Sequence, residues 1–295
     1  MPRRTRNGLT LPATLVAVAL LAAAGGLLLP AVQKWRAEAA RVQCQANLRR
    51  LAAACHDYES AHGSFPLTTP TQGWVPHLLP HLGEERLARR FRLDRRWYEA
   101  ENQAPSTSRL PFLLCPATPA PDRTLTGTHD EVRFTGLAPT DYVCSERLDS
   151  AVVDGMGVLP TFNRLGLFPR DGVPLKVAAV GDGLANTLLF LEEAGRPRHY
   201  VFGRRQERDL TGHGGAWGAT AALQVNGHTA DAKEYPGPCA VNCTNWRGVY
   251  GFHAGGAGVA FGDGAVRLLR EGVDIYVLFA LVTANGNEVV AGSDY

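Results

Sequence analysis

The chain has 295 residues, 45% of them hydrophobic, and a formal net charge of +2. Arg3, Arg4 and Arg6 account for the surplus; with them set aside, 27 basic residues face 28 acidic ones. A near-neutral body of that kind lacks the basic surplus that marks nucleic-acid binding, so no nucleic-acid partner is expected. Roughly 230 residues follow an N-terminal stalk, enough for one sizeable core.

The stalk comes first. A basic leader, residues 1–8 (MPRRTRNG), runs into an uncharged apolar stretch at residues 9–29. At about 1.5 Å of rise per residue that stretch covers a bilayer core of roughly 30 Å. The arginines before it are expected to stay in the cytoplasm and the remainder to be translocated. Residues 30–62 continue as an amphipathic helix, with apolar positions Val32, Trp35, Ala39, Val42 and Ala46 and a second stripe Leu48, Leu51, Cys55 and Tyr58. Pro30 can kink the helix where it leaves the apolar stretch. Gly63, Ser64 and Pro66 end it.

Beyond Pro66, Pro and Gly punctuate short segments. Helices are expected at 74–82 and 84–91; residues 272–284 read as helix or strand. Strands are expected at 131–135, 142–144, 175–179, 187–192, 199–202, 249–253, 258–261 and 265–270. The last three read as an antiparallel meander. Residues 122–129 and 203–215 read as long polar loops. Gly-Asp-Gly occurs at 181–183 and again at 262–264, each time as a tight turn. The body, residues 63–295, is therefore expected to be α+β with an antiparallel sheet.

An oxidising compartment would let the six cysteines form disulfides. Cys44 and Cys55 share one helix about 16 Å apart and cannot meet. Cys239 and Cys243, in one short loop, are the favoured pair, with Cys115 and Cys144 next.

The front end resembles the type IV pilins and type II secretion pseudopilins. GLTL at residues 8–11 stands where that family has GFTL, and AVQKWRAEAARVQCQANLRRL after Pro30 matches a common pilin-like layout. The resemblance implies cleavage by a prepilin peptidase after Gly8 and methylation of the new N-terminus at Leu9. The whole chain is similar to a large bacterial group of pilin-like proteins marked by a C-terminal His-x9-Asp-Gly motif, a domain of unknown function. The motif here is HAGGAGVAFGDG, with His253, Asp263 and Gly264. LLCP at 113–116, TDYV at 140–143, VGDGLANTLLFLEEAG at 180–195, GGAW at 214–217 and NC at 242–243 accompany it. One departure matters. Pilins carry a Glu at the fifth mature position, where it pairs with a neighbouring subunit's amine during assembly. This chain has Ala13.

Several constellations carry chemistry on paper. A hairpin joining His253 and Asp263 would form a catalytic dyad or share a metal; the simpler reading makes Asp263 a turn cap and His253 a structural donor. His199, His213, His228, Cys239 and Cys243 are the scattered zinc-type ligands, without a paired spacing. Asp209, Asp231 and Asn242 are the candidates for a structural calcium, without the dense spacing of a known calcium loop. No other cofactor is expected. Trp74, Trp97, Trp217 and Trp246 would line a binding groove or fill a core.

The expected fold is thus pilin-like α+β: a long N-terminal membrane-spanning helix packed on an antiparallel sheet with large loop insertions. The expected role is a non-enzymatic, pseudopilin-like subunit of a type II secretion or type IV pilus-like assembly. It would cross the inner membrane once, N-terminus in the cytoplasm and body outside, with other pilin-like subunits as partners. The alternatives are an anchored glycan- or protein-binding module that never polymerises, an extracytoplasmic metalloenzyme using His253 and Asp263, and ordinary secretion with cleavage near Ala22-Ala23-Ala24.

Overall fold

A computed structural model describes residues 11–69, 71–156, 164–169, 173–212, 214–288, 290–292 and 295, without the side chains of 21–24, 27, 153 and 154. Helix α1 (Leu11–His62) is 52 residues long and unbroken through Pro30, about 78 Å from end to end. Gly63, at φ +76°, stops it, with its N–H bonded to the Glu59 carbonyl at 2.6 Å.

Among the described side chains of α1, only those of its C-terminal third are covered. Cys44, Leu48, Leu51, Ala52, Ala54 and Cys55 are buried, at three- and four-residue spacing. The earlier stripe stands free: Val32, Trp35 and Val42 are exposed, Trp35 by 79%. So are Leu11, Leu15, Val16, Val18, Leu20, Leu28 and Leu29. Among the described residues no helix is long and apolar enough to cross a membrane. Residues 9 and 10, and the side chains of 21–24 and 27, which belong to the apolar stretch, lie outside that description.

The body is built on a five-stranded sheet: β3 (Tyr142–Leu148), β4 (Leu188–Glu192), β7 (Ala222–Val225), β8 (Gly256–Phe261) and β9 (Val266–Arg270), in the order β7-β3-β4-β8-β9. Helix α1 packs on one face, against Phe190 and Ala260. Helix α6 (Ile275–Val282) covers the other, against Val143, Leu191 and Val259. Burial on both faces explains why β4 (LLFLE) and β8 (GAGVAF) read as continuous runs rather than alternating ones. Asp274 caps α6, accepting the Tyr276 N–H at 2.7 Å.

The sheet is mixed, which corrects the antiparallel expectation. β3 runs parallel to β7, Cys144 facing Ala222, while β3/β4, β4/β8 and β8/β9 are antiparallel. The parallel pair forms because some seventy residues separate β3 from β7, ample for a crossover. Residues 249–253 are not a strand. They make isolated bridges, Tyr250 beside Glu193 and Val249 beside Val241, extending the line of the sheet beyond β4. Residues 175–179 yield a 3-10 turn, Val177–Ala179, whose residues stay at the surface. The polar stretch at 122–129 contains β1 (Leu125–His129), which pairs with β2 (Val132–Leu137). Their two-residue turn, Asp130-Glu131, has φ of +44° and +64°, the left-handed geometry such tight hairpins use. Short pieces complete the body: α2 (Val75–Leu78), α3 (Glu85–Ala88), α4 (Ala100–Ser106), α5 (Ser150–Met156), β5 (Tyr200–Val201) and β6 (Arg204–Arg205).

Candidate functional site around Glu192 and His253

Four chemically capable side chains meet beneath α1. Cys44 comes from the first covered turn of α1, and Cys115 follows the 3-10 turn Pro111–Leu113. Glu192 ends β4 and His253 precedes β8. All four are buried. Cys44 and Cys115 form a disulfide, with Cα atoms 5.2 Å apart. The His253 Nε2 lies 3.2 Å from the Cys115 Sγ and 3.4 Å from the Glu192 Oε1.

The glycines of GFHAGGAG make room for the carboxylate. A Cβ on Gly251 would lie 2.6 Å from the Glu192 Oε2, and one on Gly258 would press on Leu48 and Glu192. The Gly258 N–H donates to the Glu192 Oε2, whereas Oε1 is buried with no hydrogen-bond partner. Tyr142 pairs with Glu192 across β3/β4. Burial, and secondarily the Glu192 charge, push its phenol well above the ordinary tyrosine range. The Asn47 side-chain amide donates to the Tyr142 hydroxyl at 3.3 Å and to the Leu114 carbonyl at 3.0 Å, tying α1 to the same spot.

A second buried centre adjoins the first. Asp141 accepts the Cys115 N–H at 2.9 Å and the Gly195 N–H at 2.8 Å, and is ion-paired with Arg123, all out of solvent. The Arg123 Nε donates to the Arg196 carbonyl at 2.9 Å. Arg196 in turn pairs with Glu193 at 2.8 Å and lies against Gly214 and Gly215, where any Cβ would collide with it. Burial raises the Glu193 carboxyl above its ordinary value, against the pull of Arg196.

These contacts unite the motif fragments. LLCP brings Cys115, TDYV brings Asp141 and Tyr142, LEEAG brings Glu192, Glu193 and Gly195, and GGAW brings the glycines under Arg196. In NC, the Asn242 Oδ1 accepts the Gly251 N–H at 2.8 Å. A family model described as Protein of unknown function (DUF1559) matches residues 33–275. The chain belongs to the DUF1559 family. No curated protein and no solved structure matches it. In this DUF1559 chain the family match runs from the exposed half of α1 to the first residue of α6, so it takes in the whole buried cluster.

His253 and Asp263 do not meet. They sit at opposite ends of β8, because a strand of this length carries its two flanking positions roughly 20 Å or more apart. Asp263 accepts the Ala265 N–H at 2.9 Å in the β8–β9 turn, and Gly264 there has φ +87°. Asp263 thus serves the turn, no His253–Asp263 dyad forms, and the histidine's acidic neighbour is Glu192. Cys239 and Cys243 are joined. Cys115 bonds to Cys44, which corrects its pairing with Cys144; Cys144 is buried in β3.

Among the described residues these candidates form no metal-ligand cluster, although a backbone bridge sets His228 beside Cys239. His199 faces the Thr244 hydroxyl at 3.0 Å, His228 packs beside Trp246, and His213 lies outside the described residues. Asp209 pairs with Arg205, Asp231 with Lys233, and Asn242 bonds to Glu271. Trp74, Trp97 and Trp217 are wholly buried in the core, so they line no open groove. Gly8 and Leu9 lie outside the described residues. A surface cleft of about 620 Å³ beside His253 is bordered instead by Phe202, Asn242, Tyr250, Phe252 and Glu271.

Proposed function

We propose that this DUF1559 chain is a pseudopilin-like structural subunit, anchored in the cytoplasmic membrane by residues 9–29, with its body on the outer side. It is not an enzyme on this reading. Prepilin peptidase removes residues 1–8 after Gly8, and Leu9 becomes the methylated N-terminus. The supporting observation is the uncovered length of α1. A helix that leaves Leu11, Leu15, Val16, Val18, Leu20, Leu28 and Leu29 in the open needs lipid or neighbouring helices around it. A surface of that kind suits a membrane before assembly and the flanks of sister subunits after it. Ala13 removes the carboxylate that pilin subunits use to recruit a neighbour, which fits a cap or minor position better than the body of a long filament.

Intact mass and N-terminal sequencing of the protein from its own host test this reading. A methylated start at Leu9 is the expected result. A start at Gly25 would mean ordinary secretion and end the proposal. An uncleaved Met1 would leave an anchored, non-polymerising glycan- or protein-binding module.

A further inference from the structure

We propose that Cys44, Cys115, Glu192 and His253 constitute a metal site for a zinc-class divalent cation, available when the Cys44–Cys115 disulfide is reduced. One ligand atom from each residue already lies within 4.8 Å of all the others. Two sulfurs, one imidazole nitrogen and one carboxylate oxygen make a donor set suited to tetrahedral zinc. Bonds of about 2.0–2.3 Å place neighbouring tetrahedral ligands roughly 3.3–3.8 Å apart. The His253 Nε2 stands close to that distance from both the Cys115 sulfur and the Glu192 Oε1, at 3.2 and 3.4 Å. The bonded sulfurs must separate. A Cα–Cα distance of 5.2 Å lets them do so by side-chain rotation, without displacing α1.

An independent observation points to a ligand. Glu192 is fully buried, and its Oε1 accepts no hydrogen bond while facing the cluster, where the His253 Nε2 stands 3.4 Å away. A buried carboxylate oxygen left in that state is costly, and a cation bound between it, the imidazole and the sulfurs would satisfy it. Gly251 and Gly258 keep the surrounding backbone close, so the carboxylate is held in place rather than free to turn to solvent.

The chemistry balances as follows. A dithiol reductant gives two electrons and two protons to the Cys44–Cys115 bond and itself closes to a disulfide. The S–S bond breaks and two thiols form. Metal binding then releases the two thiol protons and makes two metal–sulfur bonds. Disulfide and metal are thus alternative fasteners for the same contact between α1 and the body.

The test uses the full-length chain in detergent, with Cys239→Ser/Cys243→Ser removing the other disulfide. Cobalt(II) alone is the probe, added before and after anaerobic reduction by a non-chelating phosphine, which leaves as its oxide. The expected result is no thiolate-to-cobalt charge-transfer band before reduction. After reduction, one cobalt should bind per chain with a two-thiolate band that zinc abolishes. Glu192→Gln and His253→Ala should each weaken binding at least about tenfold, while Cys55→Ala/Cys144→Ala should leave it unchanged. X-ray absorption at the metal edge of the unsubstituted cluster should show two sulfur and two nitrogen or oxygen neighbours, whatever the variants do to folding. A reduced chain that takes up no cobalt, that unfolds on reduction with or without the metal, or that holds it through any other donor set would overturn the proposal.

Discussion

Removing the two disulfides one at a time separates a long-range fastener from a local one. Cys44 and Cys115 are 71 residues apart in sequence, Cys239 and Cys243 only four. The loop-entropy relation gives about 4.4 kcal/mol for the first cross-link and about 1.9 kcal/mol for the second at 25 °C. Cys44, Cys115 and Cys243 are buried and Cys239 is half-buried, so paired alanine substitutions delete somewhat less packing at the second site, in the same direction as the cross-link difference. For a body of this size, about 2–4 °C per kcal/mol puts the Cys44→Ala/Cys115→Ala loss at about 9–18 °C in Tm and the Cys239→Ala/Cys243→Ala loss at about 4–8 °C. Urea unfolding of the full chain in detergent supplies the free energies. Tryptophan fluorescence is a suitable signal, since Trp74, Trp97 and Trp217 are wholly buried. A Cys239/Cys243 variant as destabilised as the Cys44/Cys115 variant would refute the reasoning.

Three further perturbations address the interior. Asp141→Asn strips the charge from a fully buried pair and strands the Arg123 guanidinium; urea unfolding should register a loss of about 3–5 kcal/mol, and a loss under about 1 kcal/mol would show the pair to be dispensable. Burial lowers the His228 pKa from 6.5 to about 4, so below about pH 6.5 the unfolded chain takes up a proton that the folded chain refuses. Stability from this residue is therefore whole above that pH and falls by up to about 3 kcal/mol as pH drops to about 4. His228→Gln should flatten that slope in urea titrations across the same range. The raised Glu193 carboxyl acts with the opposite sign, its contribution being lost as pH rises through its folded pKa, but it is common to both proteins and cancels in the comparison. Gly251→Ala drives a methyl to within 2.6 Å of the Glu192 Oε2 and 3.0 Å of the Ala257 Cα; a thermal melt should show about 1–3 kcal/mol of overpacking, and an unchanged Tm would mean that the carboxylate has room to move.

Local pattern was enough for the elements whose neighbours lie close in sequence. The three- and four-residue spacing of Leu48, Leu51 and Cys55 announces the covered face of α1, and the Gly-Asp-Gly turn announces the β8–β9 hairpin. Long-range partnership was not legible. Nothing in ALQV at 222–225 says that it runs parallel to β3, and the many pairings open to six cysteines hid the bond between Cys44 and Cys115. Asp263 drew attention because it shares a motif with His253. The residue that meets the histidine, Glu192, stands 61 positions earlier in a pair of glutamates that reads as a polar strand end. One signal was available: LEEAG is followed by Arg196 and bordered by an apolar strand, and two adjacent carboxylates beside a fully apolar run need buried partners if the strand is central. Trp35 shows the reverse case. Its place in an apolar stripe suggests packing, yet the body is too short to reach it, and it stands exposed on the stalk.

The position of the Cys44–Cys115 bond gives the fold a mechanical logic. Among the described side chains of α1, Cys44 is the first fully buried one, immediately after the exposed stalk ends. One turn further on, Asn47 reaches Leu114 and Tyr142, and Arg50 donates to the Leu82 carbonyl at 2.6 Å with its guanidinium 4.1 Å from the Phe112 ring centroid. A pull on the stalk therefore meets a covalent bond before it reaches the hydrogen bonds and apolar contacts that seat the rest of the helix. From Cys115 the load passes through its own N–H to Asp141, and from there to Arg123 and the turn at Gly195. Those are the buried residues on which the motif fragments converge, so the polar interior of the body ties α1 to the sheet. On the function proposed above, with the stalk held in lipid or among sister helices, this anchorage would carry the load between stalk and body whether or not the chain enters a filament.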